Sequence, residues 1–276
     1  MDVDNRGTLT TNRPAYPRWR VAAASVRGTS HEKLGTVCQD ASFWQVAADN
    51  TLIAAVADGA GSATHGHVGA RLAARSAVET LRAHPDLASL EGAHLDAARP
   101  VLEAALLEAR HDLIKEAHAC GLKPRDLATT LILVVASTRG IAGAQIGDGA
   151  AVIQTESGDL IALTTPDTGE YTNETTFLVS PGALERAQYF ACIEAPGRLA
   201  LFTDGLQRMA LQMPFGRPHA PFFNPLFQFI SRADEAADDR LASFLQSPRV
   251  KTRSDDDLTL LLAALTDPAH ESEHTV

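Results

Sequence analysis

The stretch Leu52-Ile53-Ala54-Ala55-Val56-Ala57-Asp58-Gly59-Ala60-Gly61-Ser62 is an apolar run that ends in an acid and two glycines. Small and branched apolar residues bounded by a glycine-rich turn predict a buried β-strand. Asp58 therefore stands at the end of that strand. Gly59 and Gly61 allow the backbone to turn sharply, so that the carboxylate and a free backbone carbonyl can face one ligand. Oxygen ligands of this kind suit a divalent cation such as Mg2+ or Mn2+.

The same pattern recurs further along the chain. Asp-Gly follows an apolar run at Asp148 and at Asp204, and the acidic cluster 255–257 precedes the strand-like run 258–262. One Asp-Gly pair is an ordinary turn, but acids at several strand ends are better explained if the strands converge. A hairpin-capping role remains the alternative for Asp148, and a solvated run of charge remains the alternative for the cluster.

Composition limits the classes of protein that fit. The chain has 276 residues, 45% of them hydrophobic, which is compatible with a single α/β or α+β unit. A net charge of −10 argues against a nucleic-acid partner, since such proteins carry a basic footprint. Three cysteines without paired spacing indicate neither a disulfide framework nor a zinc site. The sequence shows no apolar signal core and no membrane-length run, so we expect a cytoplasmic protein without a membrane partner.

The order of predicted elements indicates one globular domain, residues 19–266, between a polar leader (1–18) and a frayed tail (267–276). Residues 42–47 and 52–57 are predicted to pair as a hairpin, which would bring Asp40 beside Asp58. The short connections within 128–155 favour antiparallel strands. The remaining predictions are a first strand from Trp19, helices from after Ser62 to His84 and from Pro100 to Cys120, an irregular segment 164–196, a strand 199–203, short helices at 205–213, 222–232 and 234–246, and a strand 258–265.

Strands in antiparallel sheets with helices outside them predict a layered α+β domain. Several carboxylates at one end of those sheets would repel one another unless cations lie between them. Two Mg2+ or Mn2+ ions about 3.5–4 Å apart would balance the charge and lower the pKa of a bridging water, giving hydroxide for attack on phosphorus. Such a site needs no serine or cysteine nucleophile.

Six motifs resemble, in order along the chain, those of the metal-dependent Ser/Thr protein phosphatases of the PPM, or type 2C, family, in its bacterial branch. They are Gln39-Asp40-Ala41, Val56-Ala57-Asp58-Gly59-Ala60-Gly61, Ala128-Thr129-Thr130-Leu131, Gln145-Ile146-Gly147-Asp148-Gly149, Phe202-Thr203-Asp204-Gly205 and Asp256-Asp257-Leu258-Thr259. The resemblance implies a four-layer α-β-β-α sandwich, with two mainly antiparallel sheets flanked by helices. It also implies a centre of two Mn2+ or Mg2+ ions with a possible third.

The resemblance gives each acid an expected role. Asp58 would bridge the two metals, and the Gly59 carbonyl would ligate the second. Asp204 and Asp256 would hold the first metal. The remaining assignments are Asp40 as a residue that binds or orients metal-bound water, Asp148 as a third-metal ligand together with Asp204, and Asp257 as an outer residue that holds a metal-bound water. The predicted catalytic set is therefore Asp40, Asp58, Asp204 and Asp256.

The chain departs from the family at one position. Much of the family has a phosphate-binding Arg five residues before the early Asp, and Gly35 stands there in this sequence. His31 and Lys33, in the same loop, are the candidates to bind the substrate phosphate, although a loop-stabilising role is the alternative for His31. Residues 169–175 are predicted to form either a flap near the site or a plain loop.

The function implied is a phosphatase acting on phosphoserine or phosphothreonine of a protein substrate, opposing a cognate Ser/Thr kinase. One alternative is a catalytically weak pseudophosphatase or phospho-binding module; the missing Arg favours it, and the full complement of acids argues against it. A third alternative is a hydrolase of small phosphoesters, since the same acids would serve that reaction.

Overall fold

The computed structural model describes residues 17–84, 87, 94–165, 175–194, 196–213 and 215–266. Most of the predicted leader, the whole predicted tail and residues 166–174 of the predicted irregular segment lie outside these ranges. The strands are β1 (Arg18–Val26), β2 (Asp40–Val46), β3 (Leu52–Asp58), β4 (Leu131–Ser137), β5 (Gly140–Ile146), β6 (Ala150–Gln154), β7 (Leu160–Ala162), β8 (Gln188–Cys192), β9 (Arg198–Phe202), β10 (Leu211–Gln212), β11 (Arg217–Pro218) and β12 (Leu258–Thr266).

The helices lie between these strands along the chain. They are α1 (Thr29–Leu34), α2 (Gly66–Ala83), α3 (Leu95–Ala119), α4 (Gln207–Ala210), α5 (Ala220–Ser231), α6 (Ala237–Leu245) and α7 (Pro248–Lys251), with short 3-10 turns at Pro124–Leu127 and Asp204–Leu206. Among the described helices, none combines the length and the apolar character that crossing a bilayer requires.

Two five-stranded sheets form the centre of the molecule. One has the order β1-β12-β9-β6-β7 and the other β2-β3-β4-β5-β8, and the strand pairs within both are antiparallel. A small ribbon joins β10 to β11. The predicted hairpin is confirmed, because β2 pairs with β3 in a register that places Asp40 opposite Asp58.

Alternation along β3 explains the layers. Ile53 and Ala55 pack toward α2 and α3, whereas Leu52 and Val56 pack toward the other sheet. β12 alternates in the same way, with its other face covered by α5 and α6. Because each central strand is buried on both faces, its sequence reads as a continuous apolar run. The predicted four-layer α-β-β-α sandwich is confirmed.

Some predicted boundaries were wrong. α3 begins at Leu95, so Pro100 lies inside the helix and not in its first turn. Ala98, which precedes that proline, is fully buried, so core packing offsets the hydrogen bond that proline removes. The loop predicted around His31 contains the short helix α1. The segment predicted to be irregular contains β8, which carries one buried residue, Phe190, and therefore gives little periodic signal.

Candidate metal centre

Asp58 is fixed at the end of β3 through its backbone. The Thr129 hydroxyl donates to the Asp58 carbonyl at 2.8 Å, and the Thr130 backbone N–H donates to the same oxygen at 2.8 Å. The Asp58 backbone N–H donates to the Thr130 hydroxyl at 3.0 Å. These bonds continue the pairing of β3 with β4 past the last regular residue, so the Asp58 carboxylate stands on a rigid support.

Asp40 is buried, and one hydroxyl ties it to the opposite sheet. The Thr203 hydroxyl donates to Asp40 Oδ2 at 2.7 Å and accepts the Thr259 backbone N–H at 3.0 Å. Asp40 begins β2, whereas Thr203 follows β9 and Thr259 lies in β12. Thr203 therefore joins the ends of the two sheets where the predicted acids lie.

The charges of several acids act on one another at this end of the sandwich. Burial raises the pKa of Asp58 well above its usual value, and the charges of Asp40, Asp204, Asp256 and Asp148 raise it further. Strands of both sheets contribute these residues, which are far apart in the sequence.

The neighbouring acids respond in the same way. Burial raises the pKa of Asp204 to about 6, and the charges of Asp148 and Asp256 add to the rise. Burial, and then the charge of Asp257, raises the pKa of Asp40 to about 8. Burial also raises the pKa of Asp256. A nearby cation would relieve this repulsion and return the carboxyl groups to their charged form.

Two buried carboxylate oxygens point to the same conclusion. Asp40 Oδ1 and Asp204 Oδ1 are buried, and neither has a hydrogen-bond partner in the part of the chain that the structure describes. A buried acceptor without a partner is costly, and a cation would complete it. In the described ranges, no group of three or more His, Cys, Asp and Glu side chains is arranged to hold a metal by itself.

The Gly59 carbonyl, the predicted backbone ligand, is held from one side. With its nitrogen facing inward, the Gln39 side-chain amide donates to the Gly59 and Ala60 carbonyl oxygens, at 3.1 Å each. A side-chain carbon at position 59 would lie 2.4 Å from the carbonyl carbon of Gly66, so only glycine fits this approach to α2.

The three acids at 255–257 have different surroundings. Asp257 is 2% exposed, and its carboxylate accepts the backbone N–H groups of Gly28 at 2.7 Å and Gln39 at 2.6 Å. The Asp255 carbonyl accepts the Ser30 N–H at 2.9 Å. Asp256 is the member whose charge raises the pKa of both Asp58 and Asp204. Asp257 therefore supports the residues around Asp40, and Asp256 faces the other acids.

Asp148 lies on the Asp204 side of the cluster. The Thr175 hydroxyl donates to Asp148 Oδ2 at 2.7 Å, and the Gln207 side-chain amide donates to the Asp148 carbonyl. Thr175 is the one residue of the predicted flap, 169–175, within the described ranges.

The two predicted phosphate-binding residues lie on α1. The ring Nδ1 of His31 is 2.9 Å from Asp257 Oδ2, and the His31 side chain is 13% exposed. Lys33 is exposed. Neither residue lines the cavity of about 420 Å³ beside Asp204 and Asp256, which is bounded by Gln207, Arg208, Lys251 and Arg253 among others.

A second cavity, of about 470 Å³, lies between α5 and α6. Its walls are largely aromatic and aliphatic, and it contains none of the predicted metal ligands. Arg253 is the one described residue that lines both cavities.

Sequence reasoning missed the polar residues that support the acids. Thr129, Thr130, Thr203 and Gln39 stand inside the quoted motifs, and their position next to each acid was the available signal. Thr259 closes the last motif, three residues after Asp256. Their roles depend on contacts between strands, which residue spacing does not reveal.

The helix-flanked double sheet, with acids at its strand ends, has the architecture that the six sequence motifs imply. A family model described as protein phosphatase 2C matches residues 27–246. Serine/threonine-protein phosphatase 3 of Escherichia coli (strain K12) is 38% identical over 253 residues, which cover 89% of this chain and 98% of that protein. The chain belongs to the protein phosphatase 2C family. The predicted family and the predicted enzyme class, a protein-serine/threonine phosphatase, are confirmed.

Solved structures show the same fold. The serine/threonine phosphatase Stp1 from Staphylococcus aureus has a TM-score of 0.61 at 16% identity, covering 91% of this chain and 96% of that chain. The catalytic domain of the phosphatase PstP, in complex with 2 manganese ions, has a TM-score of 0.58 at 19% identity, covering 91% of this chain and 100% of that chain.

Proposed function

We propose that this protein hydrolyses phosphoserine and phosphothreonine in protein substrates at the acidic end of the sandwich, with divalent cations as cofactors. The observation that carries the proposal is geometric: Asp40 lies opposite Asp58 across the β2–β3 pair, and Asp40 Oδ1 and Asp204 Oδ1 are buried without a partner among the described residues. In agreement with it, burial and the charges of neighbouring acids raise the pKa of Asp58. Acids gathered this closely are suited to binding cations. The manganese ions in the PstP structure agree with this choice of cofactor.

Each residue has a task in this proposal. Two Mn2+ or Mg2+ ions, when bound, would supply a water of lowered pKa as the nucleophile for phosphorus, and we propose a third ion site beside them. Asp58 would contribute to both ion sites, and the Gly59 carbonyl would contribute to the second. Asp204 and Asp256 would complete the first site. Asp148, together with Asp204, would hold the third ion.

The remaining acids position the reacting groups. Asp40, fixed by the Thr203 hydroxyl at 2.7 Å, would orient the attacking water. Asp257 would hold Gly28 and Gln39 in place through the two bonds that its carboxylate accepts. Because Gln39 precedes Asp40 and also contacts the Gly59 carbonyl, the Asp257 contacts reach both halves of the centre.

The test is hydrolysis of a phosphothreonine peptide and of p-nitrophenyl phosphate with Mn2+. We expect activity that a chelator abolishes and that Asp204→Asn lowers by roughly a hundredfold or more, since this acid belongs to the proposed ligand set. Asp239→Asn, an exposed acid on α6, is the matched control and should retain activity.

Other outcomes separate the alternatives. Mn2+ binding without turnover would favour the pseudophosphatase or phospho-binding module. Hydrolysis of small phosphoesters without hydrolysis of phosphopeptides would favour the third alternative. The cognate kinase, the cytoplasmic location and the absence of a nucleic-acid or membrane partner remain predictions from the sequence.

A further inference from the structure

The cavity of about 420 Å³ beside Asp204 and Asp256 also carries basic side chains. Arg208, Lys251 and Arg253 line it together with those two acids. A phosphate ester bound to metal ions at Asp204 and Asp256 would extend into this cavity, because both acids line it. Its size is within the range of about 300–1,000 Å³ that is usual for ligand sites.

The two arginines are placed beside the proposed metal ligands by local structure. Arg208 follows Asp204 by four residues across the 3-10 turn and α4, a spacing that puts both on one side of a helical turn. Arg253 follows α7 and precedes Asp256 by three residues. Each arginine thus flanks the acids from a different segment of the chain.

The basic residues of the cavity differ in their availability. Lys251 Nζ lies 2.6 Å from Glu32 Oε1 and forms an ion pair with it. Among the described residues, no carboxylate lies within ion-pair distance of the Arg208 or Arg253 guanidinium, and both side chains are exposed. Both guanidinium groups are therefore free to bind an anion.

We infer that Arg208 and Arg253 bind the phosphoryl group of the substrate, in place of the arginine that the chain lacks at Gly35. This inference rests on the proposed function. A guanidinium presents paired N–H donors that match two phosphate oxygens, which an ammonium group does not. His31 is a weaker candidate because its Nδ1 faces Asp257, and Lys33 is weaker because it lies outside the cavity.

Arg208→Ala and Arg253→Ala test this inference with Mn2+-loaded protein. We expect each to raise KM about tenfold for both p-nitrophenyl phosphate and a phosphothreonine peptide, the scale of one charge-assisted hydrogen bond. Arg208→Lys should give an intermediate KM, because it keeps the charge and loses the paired donors. Arg249→Ala, an exposed arginine on α7 outside this cavity, is the matched control.

Binding of inorganic phosphate, followed by calorimetry, provides a readout that does not need turnover. The dissociation constant should rise about tenfold in each arginine variant and stay unchanged in Arg249→Ala. Thermal melting should also stay unchanged, since both arginines are exposed.

Three results would overturn the inference. The first is an unchanged KM and phosphate affinity in both arginine variants. The second is a rise in KM with Lys33→Ala alone, which would assign the phosphate to α1. The third is a rise for an acidic phosphopeptide but not for p-nitrophenyl phosphate, which would mean that the arginines recognise flanking carboxylates. A wild-type protein inactive on both substrates would overturn the proposed function instead, and phosphate calorimetry would still decide the role of the arginines.

Discussion

Asp40 and Asp58 are direct cross-strand partners at the ends of β2 and β3. Like charges in such a pair destabilise a sheet, and here both carboxyl groups also lie beside Asp204. The hairpin that builds the sandwich therefore also creates the repulsion that a cation would relieve.

Stability of the metal-free protein should fall as pH rises. The pKa of Asp204 is raised to about 6 and that of Asp40 to about 8, above the ordinary value of 3.8. The contribution of these two acids to stability is therefore fully present below about pH 3.8. It is lost as the pH rises through about 6 for Asp204 and about 8 for Asp40. We expect the chelated protein to lose unfolding free energy between about pH 5 and pH 9, by at most about 5 kcal/mol.

Thermal or urea unfolding with a chelator, repeated with Mn2+, measures this dependence. Added Mn2+ should reduce the loss, and Asp40→Asn should flatten the curve without metal. A metal-free stability that rises across the same pH interval would contradict the assigned pKa shifts.

Thr203→Val should destabilise the fold. The Thr203 hydroxyl bonds both Asp40 and the Thr259 backbone N–H, so valine leaves two buried groups without partners. The expected loss is about 1–3 kcal/mol in urea unfolding. Thr203→Ser keeps the hydroxyl and should lose less. Equal losses in the two variants would show that the methyl group, and not the hydroxyl, matters.

Asparagine substitutions along the 255–257 cluster should have three different effects. Asp257→Asn should destabilise by about 1–3 kcal/mol, because an amide nitrogen would face the N–H of Gly28 or Gln39. Asp256→Asn should weaken Mn2+ binding with little loss of stability. Asp255→Asn, at an exposed neighbour, should change neither. Mn2+ titration and urea unfolding together distinguish these results, and weakened Mn2+ binding in Asp255→Asn would shift the proposed ligand by one residue.

Gly59→Ala and Gly61→Ala form a matched pair in one loop. A side-chain carbon at position 59 would meet the Gly66 backbone at 2.4 Å, whereas one at position 61 meets nothing within 4 Å. We expect Gly59→Ala to lose about 1–3 kcal/mol and to bind Mn2+ more weakly, since its carbonyl must shift. Gly61→Ala should be nearly neutral in calorimetry and unfolding. Similar behaviour of the two variants would mean that the chain near Gly59 adapts freely.

The sequence by itself determined the elements whose signal is local. The apolar run before Asp58 predicted β3 and its terminal acid, and the short connection to β2 predicted the pairing of Asp40 with Asp58. Motifs in order along the chain were enough to identify the family, because each consists of adjacent residues. Where burial is slight, as in β8, or where proline gave a misleading signal, as at Pro100 in α3, local reasoning failed.

Only the tertiary structure decided which residues support the acids and which basic side chains lie beside them. Thr203 reaches Asp40 across 163 positions of sequence, and Asp257 reaches Gly28 across 229. Arg208 and Arg253 share one cavity because α4 and the end of α7 meet at the same end of the sheets. Residue spacing describes neighbours along a strand or helix, whereas these contacts depend on how the two sheets pack, which is set by the whole core.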